Sequence, residues 1–287
     1  MQSENLRGAL LMVLSMLGFT LSDACMKALG ADLPLYQLLA LRGALASALI
    51  VAIAWRAGAL RLRFPARDWR LLGWRSLAEV GETWFFLSAL LHMPLANVTA
   101  LLQLLPLTVT LAGALFLGER LGWRRMSAIG IGFCGMLLIV RPGTEGFNIY
   151  TLYALAAVAL VTLRDITTRQ LSRQVPTLLV TVTAFVSVTL FGAVGSLGIE
   201  WQPLTGRHWL LILASAGFLI AAFGGIITAM RMGELGAITP FRYTGLVWAL
   251  ALGWVAFGEW PATLTLVGAA IIAATGVFTL WRERQVG

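Results

Sequence analysis

Long apolar runs alternate with short clusters of charge, glycine and proline along almost the whole chain. A helix needs about 20 residues to cross the roughly 30 Å hydrocarbon layer of a bilayer. On that measure the runs predict ten helical spans, at 7–29, 34–55, 69–91, 95–117, 125–141, 149–171, 176–198, 208–231, 235–257 and 261–281. The breaks carry turn residues, among them Leu33-Pro34, Arg141-Pro142-Gly143, Gln202-Pro203 and Trp260-Pro261. Tryptophans gather at span ends (Trp55, Trp69, Trp123, Trp201, Trp209, Trp260 and Trp281), where an indole suits the boundary between hydrocarbon and water. The first run outlasts the apolar core of a signal peptide and lacks an Ala-x-Ala cleavage site, so it is expected to stay as the first helix.

Composition narrows the class. Of 287 residues, 59% are hydrophobic and only 12% are charged, against about a quarter charged in a soluble domain. The expected fold is an all-α integral membrane protein, multi-pass, with no room for an extramembrane domain. The net charge of +8 does not point to nucleic acid, because no basic face with interleaved aromatics is present. Its distribution is the useful part. If the N-terminus and the even-numbered connections share one side, that side holds fourteen of the 21 Lys and Arg residues, and the other holds Lys27, Arg141 and Arg207. Basic loops stay in the cytoplasm, so both termini are expected there. Cys25 and Cys134 lie inside apolar runs and read as packing residues, with no disulfide, metal or cofactor implied.

The chain repeats itself. Asp23, Lys27, Leu29 and Pro34 match Asp165, Arg169, Leu171 and Pro176 at an offset of 142. At an offset of 140, Trp69, Leu95 and Thr99 match Trp209, Leu235 and Thr239, and Gly118-Glu119 matches Gly258-Glu259. The units are 1–145 and 146–287, each with five spans. An odd number of spans turns the second unit upside down, and the basic loops 56–70 and 118–125 have nearly uncharged counterparts at 199–208 and 258–262. Inverted repeats of this kind are characteristic of secondary transporters, with a substrate site near the midplane between the halves.

Two five-helix halves, each closing its fourth helix on apolar-Gly-Glu, resemble the EamA type of the drug/metabolite transporter superfamily over essentially the whole chain. The residues that carry the resemblance are Phe116-Leu117-Gly118-Glu119-Arg120-Leu121, followed by Gly130 and Gly135, and Ala256-Phe257-Gly258-Glu259, followed by Gly268 and Gly276. The resemblance implies an exporter of amino acids or other small metabolites in a bacterial inner membrane. Gly118, Glu119, Gly258 and Glu259 read as structural: the glycine ends a helix, and the glutamate answers the positive N-terminal end of the next.

Ionisable groups within the spans cost roughly 2.5–3.5 kcal/mol each on insertion scales, so they avoid lipid. Asp23 and Lys27 are spaced as an i,i+4 pair, and Arg164 and Asp165 as a self-paired couple near the inner end of the sixth span. In the third span Arg75, Glu79, Glu82 and Phe86 fall on one face, where Arg75 can neutralise Glu79. Glu82 then either pairs with Arg42 or Arg242, or stands free to bind a substrate amine or carry a proton; Arg242 can hold a carboxylate. The fourth span presents Thr99, Gln103, Pro106 and Thr110 on one stripe, and Pro106 frees a backbone carbonyl near midspan. The repeat places Thr239, Arg242 and Tyr243 opposite Thr99, Leu102 and Gln103. The expected cavity set is Glu79, Glu82, Trp84, Thr99, Gln103, Thr239, Arg242 and Tyr243, with Pro106 structural.

An enzyme is not expected. His92 and His208 lie near span ends, and no nucleophile–base motif or nucleotide-binding loop is present. The expected function is a secondary transporter that exports amino acids or related metabolites by alternating access, acting as a monomer in the bilayer. A channel or a membrane scaffold is the alternative, with no charged ring or glycine-rich filter to favour the channel.

Overall fold

A computed structural model of the chain describes residues 2–60, 63–118, 122–142, 148–172, 174–232 and 238–286. These residues form helices and no strands: α1 (Gln2–Leu29), α2 (Leu35–Arg56), α3 (Ala66–His92), α4 (Leu95–Leu102), α5 (Leu105–Leu117), α6 (Trp123–Val140), α7 (Ile149–Gln170), α8 (Thr177–Ser196) and α9 (Gly206–Met232). After the segment 233–237 come a 3-10 turn (Thr239–Tyr243), α10 (Thr244–Phe257) and α11 (Thr263–Val286). Among the described residues seven stretches are long and apolar enough to cross a membrane, α4 and α5 counting together as one. The protein is therefore an all-helical multi-pass membrane protein.

Local chemistry sets the ends of the helices. Pro34, Pro65, Pro94 and Pro176 stand immediately before α2, α3, α4 and α8, where a missing N–H costs nothing and the fixed φ suits helix entry. Asn148 caps α7, its side chain accepting from the Thr151 N–H at 3.2 Å. Gly118 and Gly258 end α5 and α10 in the left-handed region, at φ 71° and 65°. There a Cβ would be strained, which supports the helix-stop reading of both glycines. Glu119 lies outside the described residues.

The fourth span is not one continuous helix. The α-ladder stops at Leu102, Gln103 and Leu104 form a turn, and Pro106 occupies the first turn of α5. The stretch at 239–257 breaks in the corresponding place, as a 3-10 turn containing Pro240 that passes into α10 at Thr244. Packing runs mainly between the two halves of the chain. The closest pairings are α1 on α9, α2 on α8, α3 on α7 and α6 on α11. Small residues permit the approach: Gly43 faces Thr189, and Ser47 shares a 2.8 Å hydroxyl hydrogen bond with it. Ser22 and Ser215 do the same between α1 and α9, at 2.9 Å.

Candidate functional site

A cavity of about 330 Å³ opens where the middles of α1, α2, α3, α7, α8 and α9 meet both helix breaks. A second space of about 310 Å³ shares Leu105, Pro106 and Arg242 with it and reaches Asp165 and Arg169 at the end of α7. Three carboxylates (Asp23, Glu79, Glu82) and three guanidiniums (Arg42, Arg164, Arg242) stand on the wall of the first cavity. Phe19, Phe86, Phe185 and Phe223 supply apolar surface; Phe223 meets Phe19 edge-on at 5.1 Å and Phe185 at 5.7 Å.

The α3 side follows helical spacing. Glu79, Glu82, Thr83 and Phe86 all reach the cavity, as i, i+3, i+4 and i+7 positions must if one does. Arg75 lies 3.3 Å from Glu79, the expected i,i+4 pair, although the contacted Oε2 makes no aligned hydrogen bond. Arg164 connects most of the acids. It contacts Asp165 at 3.1 Å, Glu79 at 3.5 Å and Glu82 at 3.6 Å. The pairing with Asp165 is thus only part of its role, and Glu82 pairs with Arg164 rather than with Arg42 or Arg242. Arg42 and Arg242 make no hydrogen bond or ion pair with any described residue.

The other expected cavity residues separate into two groups. Thr99, Gln103 and Arg242 line the cavity, with Pro106 at the break, and the Gln103 amide has no described protein partner. Thr239 lines the second space. Trp84 does not reach either space, because it lies off the Glu79/Glu82 face and packs against Phe85 and Tyr153 at 4.9 and 5.5 Å. Tyr243 also turns away, its ring lying over the Cα of Gly276 on α11. Its 3-10 turn advances about 120° per residue instead of 100°, so the α-helical alignment with Gln103 does not carry over to side-chain direction.

Two expected pairings near the other end of α1 are replaced. Lys27 does not pair with Asp23. Its Nζ lies 2.8 Å from Glu259 Oε1 and also donates to the Met93 carbonyl oxygen. Glu259 does answer a helix N-terminus, but that of α4, accepting from the Leu95 N–H at 2.9 Å, and not that of the next helix. This releases Asp23 into the cavity, where Arg42 is its charged neighbour.

Cysteine chemistry separates the lining from its surroundings. In a chain whose Cys25 and Cys134 are replaced by Ser, Gln103→Cys is expected to react with a water-soluble methanethiosulfonate, and Trp84→Cys to react at least ten-fold more slowly. Equal rates at the two positions would contradict the placement of α3.

A polar, charge-lined cavity set mid-span between interrupted helices of a multi-pass protein is the arrangement of a membrane transporter. Residues 6–141 match the EamA-like transporter family. The pseudopaline exporter CntI of Pseudomonas aeruginosa is 27% identical over 269 residues, 92% of this chain and 93% of that protein. The S-adenosylmethionine uptake transporter of Rickettsia felis is 27% identical over 203 residues, which span 67% of this chain and 65% of the relative's length. A solved crystal structure shares the fold, with a TM-score of 0.66 at 23% identity, covering 98% of this chain and 99% of that one.

Proposed function

We propose that this chain is a ten-helix carrier, built from two inverted five-helix repeats at 1–145 and 146–287, that exports amino acids or close relatives by alternating access. The observation that carries the reading is the cavity between two helix breaks at repeat-equivalent positions, 103–104 and 239–243. The packing pattern supports the repeat: exchanging the halves turns the α1–α9 pairing into α7–α3, and returns α2–α8 and α6–α11 to themselves. In this reading both termini are cytoplasmic and one chain is the working unit. The relatives are named for opposite directions, one uptake and one export; the choice of export rests on the family resemblance alone.

The cavity suits a zwitterion in charge, since its acids and bases balance, and its phenylalanines accept an apolar side chain. Gln103 offers an amide at one break, and Arg242 stands where the two spaces join, able to take a carboxylate on its way in. Export can be read directly in cells. A strain lacking its own amino-acid exporters, expressing this chain and fed a leucine-containing dipeptide, is expected to release leucine several-fold faster than the empty-vector strain. Arg242→Gln is expected to cut that excess at least ten-fold. Release no faster than the vector control, repeated for phenylalanine and methionine dipeptides, would remove amino-acid export.

A further inference from the structure

Arg42 is the wall charge with the least protein to answer it. Its residue is only 9% exposed, it faces the cavity, and no described group bonds to it. A guanidinium carries five N–H donors in a rigid fork, and leaving such a group buried without partners is costly. Its position is also held. Gly43, the next residue, packs on Thr189, and Ser47 one turn further bonds to the same side chain, so α2 cannot roll to carry the fork elsewhere.

The groups around it are acidic but not paired to it. Asp23 and Glu82 are the charges that act on Arg42, yet neither makes an ion pair with it. Asp23 has no described hydrogen-bond partner, and Glu82 has only a share of Arg164, at 3.6 Å, and a long 3.5 Å bond from Thr83. A space bounded by one open fork and two under-used carboxylates matches a ligand that carries both signs of charge close together. A lone phosphate or dicarboxylate would meet Asp23 and Glu82 with like charge; a simple amine would leave the fork empty. Arg242 offers a poorer resting place for a carboxylate and ammonium together, because the acid that acts on it, Asp165, is already paired with Arg164 at 3.1 Å.

Resting on the transport reading above, we propose that Asp23, Arg42 and Glu82 form a head-group site for an α-ammonium carboxylate. Arg42 takes the carboxylate through two parallel N–H bonds, and the ammonium sits between Asp23 and Glu82. The rest of the ligand lies along Phe19, Phe185 and Phe223, which continue the same wall.

Binding to the purified full-length protein in detergent tests this, using two probe triplets followed by calorimetry. One is L-leucine with 3-methylbutylamine, which lacks the carboxylate, and 4-methylpentanoate, which lacks the amine. The other is L-phenylalanine with phenethylamine and 3-phenylpropionate. The wild type is expected to bind the amino acid of at least one triplet ten-fold or more tighter than either half. Arg42→Gln is expected to lose that advantage, down to the amine's affinity, with amine binding unchanged; Arg42→Lys should fall between. Asp23→Asn is expected to weaken the amino acid and the amine while sparing the acid, and this arm decides if Arg42→Gln elutes aggregated. Undiminished amino-acid binding by Arg42→Gln, or by Asp23→Asn, overturns the head-group site but leaves amino-acid transport standing. Absence of amino-acid binding by the wild type, beside active export of another metabolite, overturns both.

Discussion

Arg164→Gln is expected to destabilise the protein by about 3–5 kcal/mol, the usual cost of removing one partner from a buried charge pair. One guanidinium here serves Asp165, Glu79 and Glu82, at 3.1, 3.5 and 3.6 Å. The side chains of Arg164, Glu79 and Glu82 are 22%, 13% and 16% exposed, so solvent screening offers little relief. After the substitution Glu79 would keep Arg75, which also donates to Thr168 at 3.0 Å, while Glu82 and Asp165 would lose their ion-pair partner among the described residues. Thermal unfolding in detergent should show a large drop for Arg164→Gln and a smaller one for Arg164→Lys, which keeps the charge and loses the fork. The double variant Arg164→Gln/Glu82→Gln should recover part of the loss, because one stranded carboxylate is gone; a double-mutant cycle isolates that coupling. Independent, additive losses would contradict the shared-partner geometry.

Glu259→Ala is the second large effect, on the order of 2–4 kcal/mol, as a buried ion pair and a helix cap disappear together. Glu259 ties three pieces of chain. It follows the left-handed Gly258, its N–H donates to the Gly253 carbonyl at 2.9 Å, and its carboxylate holds both Lys27 and the first N–H of α4. Lys27 is 10% exposed and would keep the Met93 carbonyl and the face of the Phe257 ring, 5.5 Å away. Lys27→Met is expected to cost less than Glu259→Ala, since the cap on α4 survives it. The ordering of the two thermal midpoints is the check, and a larger loss for Lys27→Met would contradict the capping role.

Much of this was legible along the chain, and the reasons it stopped being legible are specific. Apolar run length located the helical stretches to within a few residues, because bilayer thickness and helix rise leave little freedom. Helical spacing put Glu79, Glu82 and Phe86 together and paired Arg75 with Glu79. It also put Trp84 in the cavity set, although 84 is two positions from 82 and points elsewhere. Partner choice was the harder problem. Lys27 four residues from Asp23, and Arg164 beside Asp165, satisfy local rules, but Glu259 and Glu79 lie 232 and 85 positions away and are brought in by packing. In a membrane the lipid-facing and core-facing sides of a helix are both apolar, so the pattern that tells a soluble helix which face to bury is weak. Arg42 and Asp23 therefore showed as charges in spans, without any sign that they share a cavity. Tyr243 was misplaced for a different reason, the change from α to 3-10 geometry at Pro240.

Counterflow separates a carrier from a channel at the cavity between the broken helices. Proteoliposomes loaded with an unlabelled amino acid that the protein binds are given a trace of the same labelled compound outside. Uptake is expected to saturate with external concentration, to run several-fold faster than into empty vesicles, and to be lost in Arg42→Gln. Flux that rises linearly with concentration and ignores the internal amino acid would contradict a carrier.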